Sequence, residues 1–288
     1  MTDEFRWYLL KQKRIEELIL SSFRAFRRES IEPILIKGWA AARNYPETQP
    51  RFYGDIDLAV SKADYARALQ LTATADSGVL GVDLHCELRH LDTVPWTELL
   101  QNSELVDLND EKIRILSAED HLRVLCVHWL TNGGESRERL WDIVYAVQNR
   151  PADFSWEKCL DVVSSNRRGW IISTIGLAHK YLNLDLRELP FAQEAKSLPS
   201  WLTRCVEREW IRGIQLRPLH TALKDRRAFL QQIGKRIPPN PIQATVDCEG
   251  KFDDRSRILY QFKDVIIRLT PSLRRVLPEI LRRKDEAS

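Results

Sequence analysis

The most informative part of this sequence is the run Gly54-Asp55-Ile56-Asp57-Leu58-Ala59-Val60. Its alternation of acidic and aliphatic residues has a period of two, which predicts a β-strand. Residues i and i+2 of a strand project from the same face, so we expect the carboxylates of Asp55 and Asp57 to lie side by side. Adjacent carboxylates repel each other unless a cation neutralises them, and Mg²⁺ prefers oxygen ligands and substrate phosphates. The run therefore predicts a metal-binding strand, with Gly54 allowing a close backbone approach or a turn at its start.

The segment before this strand predicts a phosphate site. Residues 34–36 form an apolar run that predicts a buried strand, and residues 39–43 favour a helix. Lys37 and Gly38 stand at the junction of the two. The N-terminus of a helix offers unpaired N–H groups and the positive end of a dipole, which suit phosphate. We therefore expect Gly38 to let a triphosphate lie close to the chain, with Lys37 beside it.

A third acidic segment follows at residues 82–88, which alternate strictly between apolar and polar side chains. Asp83, His85 and Glu87 share one face of this predicted strand. If the strand neighbours that of Asp57, a third carboxylate completes a two-metal site, in which one ion positions a triphosphate and the other activates the attacking oxygen. The spacing alone leaves open whether Asp83 or Glu87 supplies that carboxylate or His85 replaces it.

The order of predicted elements indicates a mixed α+β fold. Residues 4–28 predict an amphipathic helix, and residues 30–116 contain every predicted strand, including one over 112–116. Ser117 followed by Glu119 and Asp120 resembles a helix N-cap with acidic residues in the first turn, and from there the chain predicts helices only. We predict three regions: an N-terminal helix (1–30), a core with a small mixed sheet (31–116) and an α-helical domain (117–288).

Composition excludes several classes of protein. The 288 residues are 43% hydrophobic and 30% charged, with a formal net charge of +3, which excludes collagenous, low-complexity and disordered classes. No apolar run approaches the ~20 residues of a membrane span, and no signal-peptide pattern opens the chain, so we expect a cytoplasmic protein. The five cysteines show no Cys-x-x-Cys spacing, which argues against a disulfide framework or a cysteine zinc site. Residues 201–288 carry a net charge of +8, which favours a solvated helical surface and leaves a phosphate or RNA contact open.

Several of these segments together resemble the bacterial nucleotidyltransferases of the DNA polymerase beta-like superfamily. The resemblance covers about residues 30–185, is strongest from Lys37 to Val60, and is carried by residues 36–42, 45–46, 51, 54–60, 83–85, 116–120, 128 and 139–142. It implies a short mixed sheet facing a helical domain across a cleft, and transfer of a nucleoside monophosphate from an NTP to a hydroxyl with release of pyrophosphate.

Carried over residue by residue, the resemblance implies that Asp55 and Asp57 are the metal-binding pair, Asp83 the third carboxylate and Gly38 the glycine of the phosphate-binding turn. Trp39 departs from the pattern, because a serine often follows this glycine. The resemblance then leaves Lys37 or Arg51 to hold the phosphate, with Gly54 beside the metal pair.

We therefore predict a nucleotidyltransferase that uses Mg²⁺ or Mn²⁺ and an NTP, with ATP as the first candidate. The acceptor hydroxyl belongs to a small molecule, a peptide, a protein or an RNA, and the sequence does not select among these. The alternative is a catalytically inactive protein of the same fold that binds a protein or RNA partner. No P-loop, Rossmann glycine motif, nucleophile elbow, zinc protease motif or kinase signature is present.

Six residues also have purely structural interpretations. Arg51 pairs with Asp55 or Asp57 if the site is only structural, and His85 is otherwise a half-buried histidine bonded to the backbone. Arg139 and Asp142, three residues apart, predict an ion pair on a helix surface. His121 and His128, seven residues apart, predict packing along one helix face rather than a metal site.

Overall fold

The computed structural model describes residues 3–74, 78–214 and 225–268. Its strands are β1 (Ile34–Leu35), β2 (Ile56–Val60), β3 (Val82–Cys86), β4 (Glu104–Leu108) and β5 (Glu111–Ile115). Its helices include α1 (Asp3–Arg28), α2 (Trp39–Ala42), α3 (Tyr65–Ala73), α4 (Trp96–Asn102), α5 (Ala118–Thr131), α6 (Leu140–Gln148), α7 (Trp156–Leu160), α8 (Ser165–Leu182), α9 (Ala192–Lys196), α10 (Ser200–Arg212), α11 (Arg226–Arg236) and α12 (Pro241–Asp247). Residues 258–268 are also helical.

The five strands form one mixed sheet in the order β3-β2-β1-β5-β4. The outer pair β2–β3 and the central pair β1–β5 are parallel, whereas β1–β2 and β4–β5 are antiparallel. The described residues beyond 115 contain no strand. The prediction of a mixed α+β fold with a small sheet is therefore confirmed.

Helix α1 covers one face of this sheet. Its apolar residues Ile19, Phe23 and Phe26 are fully buried against the sheet residues Ile56 and Leu58. These positions recur at helical spacing along α1, so a single stripe of the helix faces the strands. This side of the sheet contains apolar contacts and no acidic cluster among the residues described.

The helical part of the chain covers the opposite face. Ala59 of β2 and Ile34 of β1 belong to the same buried cluster as α5, α6 and α8. Helix α5 begins where predicted, because the Ser117 hydroxyl accepts the Asp120 backbone N–H and caps the helix. Asp57 projects from the same face as Ala59, two residues away, and therefore lies between the sheet and the helices.

Some elements differ from the prediction. Strand β4 and helices α4, α9, α11 and α12 were not predicted. The proline-rich residues 238–241 predict a loop, whereas Pro241 begins α12 behind the cap Asn240. The sequence also predicts helices over residues 62–75 and 256–269, and their ends at Ala75 and Leu269 lie outside the described residues. The domain boundaries at 30 and 116 stay predictions. In the part of the chain described, no helix is both long enough and apolar enough to cross a membrane.

Candidate metal and nucleotide site

The pairing of β2 with β3 brings three chemical groups together. Asp57 is in register with Asp83, and Ala59 with His85, so all three functional side chains project from the face that the helices cover. One ligand atom from each of Asp57, Asp83 and His85 lies within 4.8 Å of the others. Two carboxylate oxygens and one imidazole nitrogen at this spacing fit a divalent cation.

Asp57 is the buried member of this cluster. Its Oδ1 lies 2.8 Å from Nζ of Lys37 and 3.1 Å from Nε2 of His85. Burial by itself raises the pKa of Asp57, but the His85 hydrogen bond and the Lys37 ammonium outweigh burial and hold the pKa below its ordinary value. Asp57 is therefore an ionised carboxylate at neutral pH.

Asp83 is the open member of the cluster. Its side chain is 66% exposed, and its Oδ2 lies 3.5 Å from His85 Nε2. His85 thus bridges a buried and an exposed carboxylate, which differs from the half-buried histidine with a backbone partner that the structural interpretation predicts. Glu87 does not join them, because β3 ends at Cys86 and Glu87 has a φ of +53°. The Glu87 carboxylate instead accepts the backbone N–H of Lys62.

Asp55 precedes β2 by one residue and is exposed. It lines the same cleft as Asp57 and Asp83 but is outside the three-residue cluster. Its role as a metal ligand stays a prediction.

The turn at Gly38 has a geometry that requires glycine. Gly38 has a φ of +62°, and a Cβ placed on it would lie 3.0 Å from the carbonyl oxygen of Asp55. The backbone of the Gly38 turn is thus in close contact with the backbone at Asp55. Helix α2, which begins at Trp39, has only four residues, so the contribution of its dipole to phosphate binding is small.

Arg51 occupies a position that sequence reasoning did not predict. Its Nε and Nη2 donate to the two carboxylate oxygens of Asp142 at 2.6 and 2.8 Å, and its Nη1 donates to the Gly38 carbonyl at 3.2 Å. The Tyr45 hydroxyl donates to the same Asp142 carboxylate at 2.5 Å. In the part of the chain that the structure describes, neither predicted pairing forms, that of Arg51 with Asp55 or Asp57 or that of Asp142 with Arg139.

These contacts make Arg51 a bridge between the two walls of the cleft. Burial lowers the pKa of Arg51, but the bonds to Asp142 outweigh burial and raise it above the ordinary arginine value. The guanidinium joins the Gly38 turn on the sheet side to α6 on the helical side. Its donors are directed to protein groups, so a direct role in phosphate binding stays a prediction.

All seven sequence-predicted site residues line one cleft of about 830 Å³. These residues are Lys37, Gly38, Arg51, Gly54, Asp55, Asp57 and Asp83. The facing wall comes from α5, α6 and the loop between them, and it includes His128, Asn132 and Arg139. The sequence predicted helix packing for His128 and a surface ion pair for Arg139. Only the three-dimensional arrangement of the strands and helices shows that both residues line the cleft of the carboxylates.

His128 and His121 are both held neutral by their surroundings. Burial, followed by the positive charge of Lys37, lowers the pKa of His128 to about 4. Burial likewise lowers the pKa of His121 to about 4, and its Nε2 has no hydrogen-bond partner among the residues that the structure describes. His121 thus packs inside the protein as predicted, whereas His128 lies in the cleft with its Nε2 3.2 Å from the side-chain amide of Asn132.

The fold and the site define a mixed α+β protein with a carboxylate–histidine cluster at the base of a cleft. Residues 4–75 match the model of a family described as uncharacterised nucleotidyltransferases. The matched segment includes Lys37, Gly38, Arg51, Asp55 and Asp57, so it confirms the resemblance over the part of the chain where the motifs are densest. Asp83 and the helical wall lie outside it.

Two other comparisons add context. A solved structure described as an antigenic nucleotidyltransferase-like protein from Paracoccidioides brasiliensis is similar at 14% identity, with a TM-score of 0.40 over 63% of this chain and 93% of that chain. No curated protein matches this chain.

Proposed function

We propose that this protein is a metal-dependent nucleotidyltransferase that transfers a nucleoside monophosphate from an NTP to a hydroxyl acceptor. The observation that carries the proposal is the cluster of Asp57, Asp83 and His85 at the base of a cleft that also contains the Gly38 turn. The family match over residues 4–75 supports the same class of reaction.

The residues of the cluster fit a divalent cation such as Mg²⁺ or Mn²⁺. Asp57 and Asp83 supply oxygen ligands, and the nitrogen of His85 favours Mn²⁺ over Mg²⁺ in this donor set. When bound, the cation would neutralise phosphate charge and orient the reacting oxygens. Lys37 now contributes one of the positive charges beside Asp57, so a bound ion would share that carboxylate with it.

The proposed transfer forms a bond between the acceptor oxygen and the α-phosphorus and breaks the bond from that phosphorus to the pyrophosphate. The pyrophosphate leaves, and the hydroxyl proton passes to the carboxylate of Asp83. Asp83 suits this role because its side chain is exposed to solvent and lines both the main cleft and a second, neighbouring cavity. Gly38 leaves room for the phosphates, and the charge of Lys37 stabilises them.

A second cavity supports a separate acceptor site. It has a volume of about 490 Å³ and shares Lys37, Asp83, His128 and Asn132 with the main cleft. Its remaining wall includes His90 and residues of α12. We assign the main cleft to the NTP and this cavity to the acceptor, because the two meet at Asp83. The size suits a small molecule or one side chain of a larger acceptor.

Titration of metal and nucleotide into purified protein tests the proposal. Wild type is expected to bind Mn²⁺, followed by electron paramagnetic resonance of free Mn²⁺, and to bind one NTP by calorimetry only when metal is present. Asp57→Asn is expected to abolish Mn²⁺ binding, and His85→Gln to weaken it. Asp107→Asn is the matched control, because Asp107 is an exposed aspartate of the same sheet on β4, away from the cleft.

The results separate this proposal from a non-catalytic role. One observation favours the alternative: without a metal, Asp57 already forms an ion pair with Lys37 and a hydrogen bond with His85. A wild type that stays folded but binds neither Mn²⁺ nor any NTP would overturn the enzyme proposal and favour a binding protein with a protein or RNA partner. Metal-dependent NTP binding that survives Asp57→Asn would overturn the assignment of the metal site.

A further inference from the structure

The main cleft contains three basic side chains among the residues described, and two of them are already bound to carboxylates. Lys37 pairs with Asp57 and Arg51 with Asp142. Arg139 lines the same cleft, and in the described part of the chain it has no carboxylate within ion-pair distance. Among the described residues, its side chain makes one hydrogen bond, from Nη1 to the Phe52 carbonyl at 3.4 Å, which is long for an N–H···O bond.

The position of Arg139 is fixed by its neighbours. It is the N-cap residue of α6, and Asp142 in the first turn of that helix is held by Arg51. The same Arg51 contacts the Gly38 carbonyl, so the start of α6 and the Gly38 turn are tied together. Arg139 therefore has an exposed side chain at the start of a helix that is held in place.

The charge of Arg139 reaches the centre of the cleft. Burial is the main cause of the lowered pKa of His128, a residue of this cleft, and the charge of Arg139 makes a minor contribution in the same direction. The charges of Asp57 and Lys37 also affect the pKa of His128. Arg139 on the helical wall and these residues on the sheet wall therefore act on the same part of the cleft. A polyanion between these walls would be neutralised by metal ligands on the sheet side and by Arg139 on the helical side.

We propose that Arg139 binds the triphosphate tail of the NTP. The inference rests on the proposed function and adds a phosphate-binding residue from outside the matched segment 4–75. A guanidinium offers paired donors that match two phosphate oxygens, which a lysine ammonium does not. Because negative charge develops on the leaving pyrophosphate, the same contact stabilises the product side of the transfer.

Three variants test the assignment. Arg139→Ala removes the charge, and Arg139→Lys keeps the charge but lacks the paired donors of the guanidinium. Arg137→Ala removes a nearby arginine that does not line the cleft. Arg137 is exposed and stands over the Trp210 ring instead, so it is a matched control. Each variant is titrated with Mn²⁺ alone, with inorganic tripolyphosphate and Mn²⁺, and with each NTP and the corresponding NMP in the presence of Mn²⁺. Thermal denaturation confirms that each variant is folded.

Arg139→Ala is expected to weaken tripolyphosphate and NTP binding by about 10- to 100-fold, the range of a hydrogen bond to a charged group. Arg139→Lys is expected to recover part of this loss. Binding of Mn²⁺ alone and of the NMP is expected to change less than about threefold, and Arg137→Ala to match wild type. A purely structural role would instead weaken all ligands together.

The failure of this inference is distinguishable from failure of the proposed function. If wild type binds the NTP with metal and Arg139→Ala binds it equally well, Arg139 is not a phosphate ligand and the proposed function stands. If Arg139→Ala weakens the NTP and the NMP equally, Arg139 contacts the nucleoside or the α-phosphate and the assignment to the tail is wrong. If wild type binds neither tripolyphosphate nor any NTP with metal, the proposed function itself fails, and this inference fails with it.

Discussion

Loss of the buried ion pair between Arg51 and Asp142 is expected to destabilise the protein far more than loss of a surface pair. The two side chains are 8% and 6% exposed and bind through two parallel hydrogen bonds. Asp142→Asn keeps the shape of the side chain and removes its charge, so Arg51 is left as a buried cation without a counter-ion. The Tyr45 hydroxyl keeps an acceptor in this variant, because the amide oxygen of asparagine can replace one carboxylate oxygen.

The expected magnitude follows from these contacts. Breaking one partner of a buried ion pair costs about 3–5 kcal/mol, since the remaining charge is left desolvated. Asp142→Asn belongs at the lower end of that range, because one oxygen still accepts from Arg51. Domains are stable by only about 5–15 kcal/mol in total, so a loss of ~3 kcal/mol is a large fraction of the free energy of unfolding. The double variant Arg51→Met/Asp142→Leu removes both charges and is expected to lose less than the two single changes together.

Urea denaturation followed by tryptophan fluorescence measures these losses. The matched control is Glu194→Gln, which breaks the surface pair with Arg168, whose side chains are 35% and 49% exposed. That change is expected to cost less than about 1 kcal/mol. The reasoning is refuted if Asp142→Asn costs no more than Glu194→Gln, or if the double variant loses as much as the sum of the single variants.

The remaining predictions concern pH and backbone strain. Burial lowers the pKa of His121 to about 4 in the folded protein, against ~6.5 when unfolded, so the unfolded chain binds the extra proton between these values. This residue is therefore expected to lower the free energy of unfolding by ~2 kcal/mol as pH falls from about 7.5 to 5. In denaturant titrations, His121→Gln is expected to lack that part of the pH dependence. If wild type and His121→Gln lose the same free energy of unfolding between the two pH values, the prediction is wrong. Gly38→Ala places a Cβ 3.0 Å from the Asp55 carbonyl at a φ of +62°, so it is expected to cost about 1–3 kcal/mol and to weaken NTP binding. Gly169→Ala, in open space within α8, is the control and is expected to be neutral or stabilising; equal unfolding free energies for the two alanine variants would show that the Gly38 turn is not strained.

Local patterns were sufficient for the part of the fold that carries the carboxylates. Alternation predicted β2 and β3, because each strand has one face against α1 and the other toward the helices. The cap at Ser117 was predicted from its own side chain and that of Asp120, which are three residues apart. These features depend on interactions within a few residues, so they can be inferred without knowing the rest of the structure.

Features that depend on distant parts of the chain were not predicted. Strand β4 alternates only weakly because it is the edge strand and most of its side chains are exposed. The short cap-dependent helix α12 begins at Pro241 behind the Asn240 cap, and its proline-rich start favoured a loop. Glu87 does not join the cluster of Asp57, Asp83 and His85, because the backbone turns to a positive φ directly after β3, which ends the alternation one residue too early for Glu87.

The helical wall shows why a local rule predicted the wrong partner for Asp142. Arg139 and Asp142 are at the i, i+3 spacing that favours an ion pair on an exposed helix. Here Arg51 ties the start of α6 to the Gly38 turn, and it offers Asp142 two parallel hydrogen bonds in a buried setting, where such bonds are stronger than at the surface. The long-range partner therefore takes Asp142, and Arg139 is left facing the cleft. Because Arg51 rather than Arg139 binds Asp142, Arg139 is available for the triphosphate that we assign to it. The affinity of Arg139→Ala for the NTP measures whether Arg139 has that role.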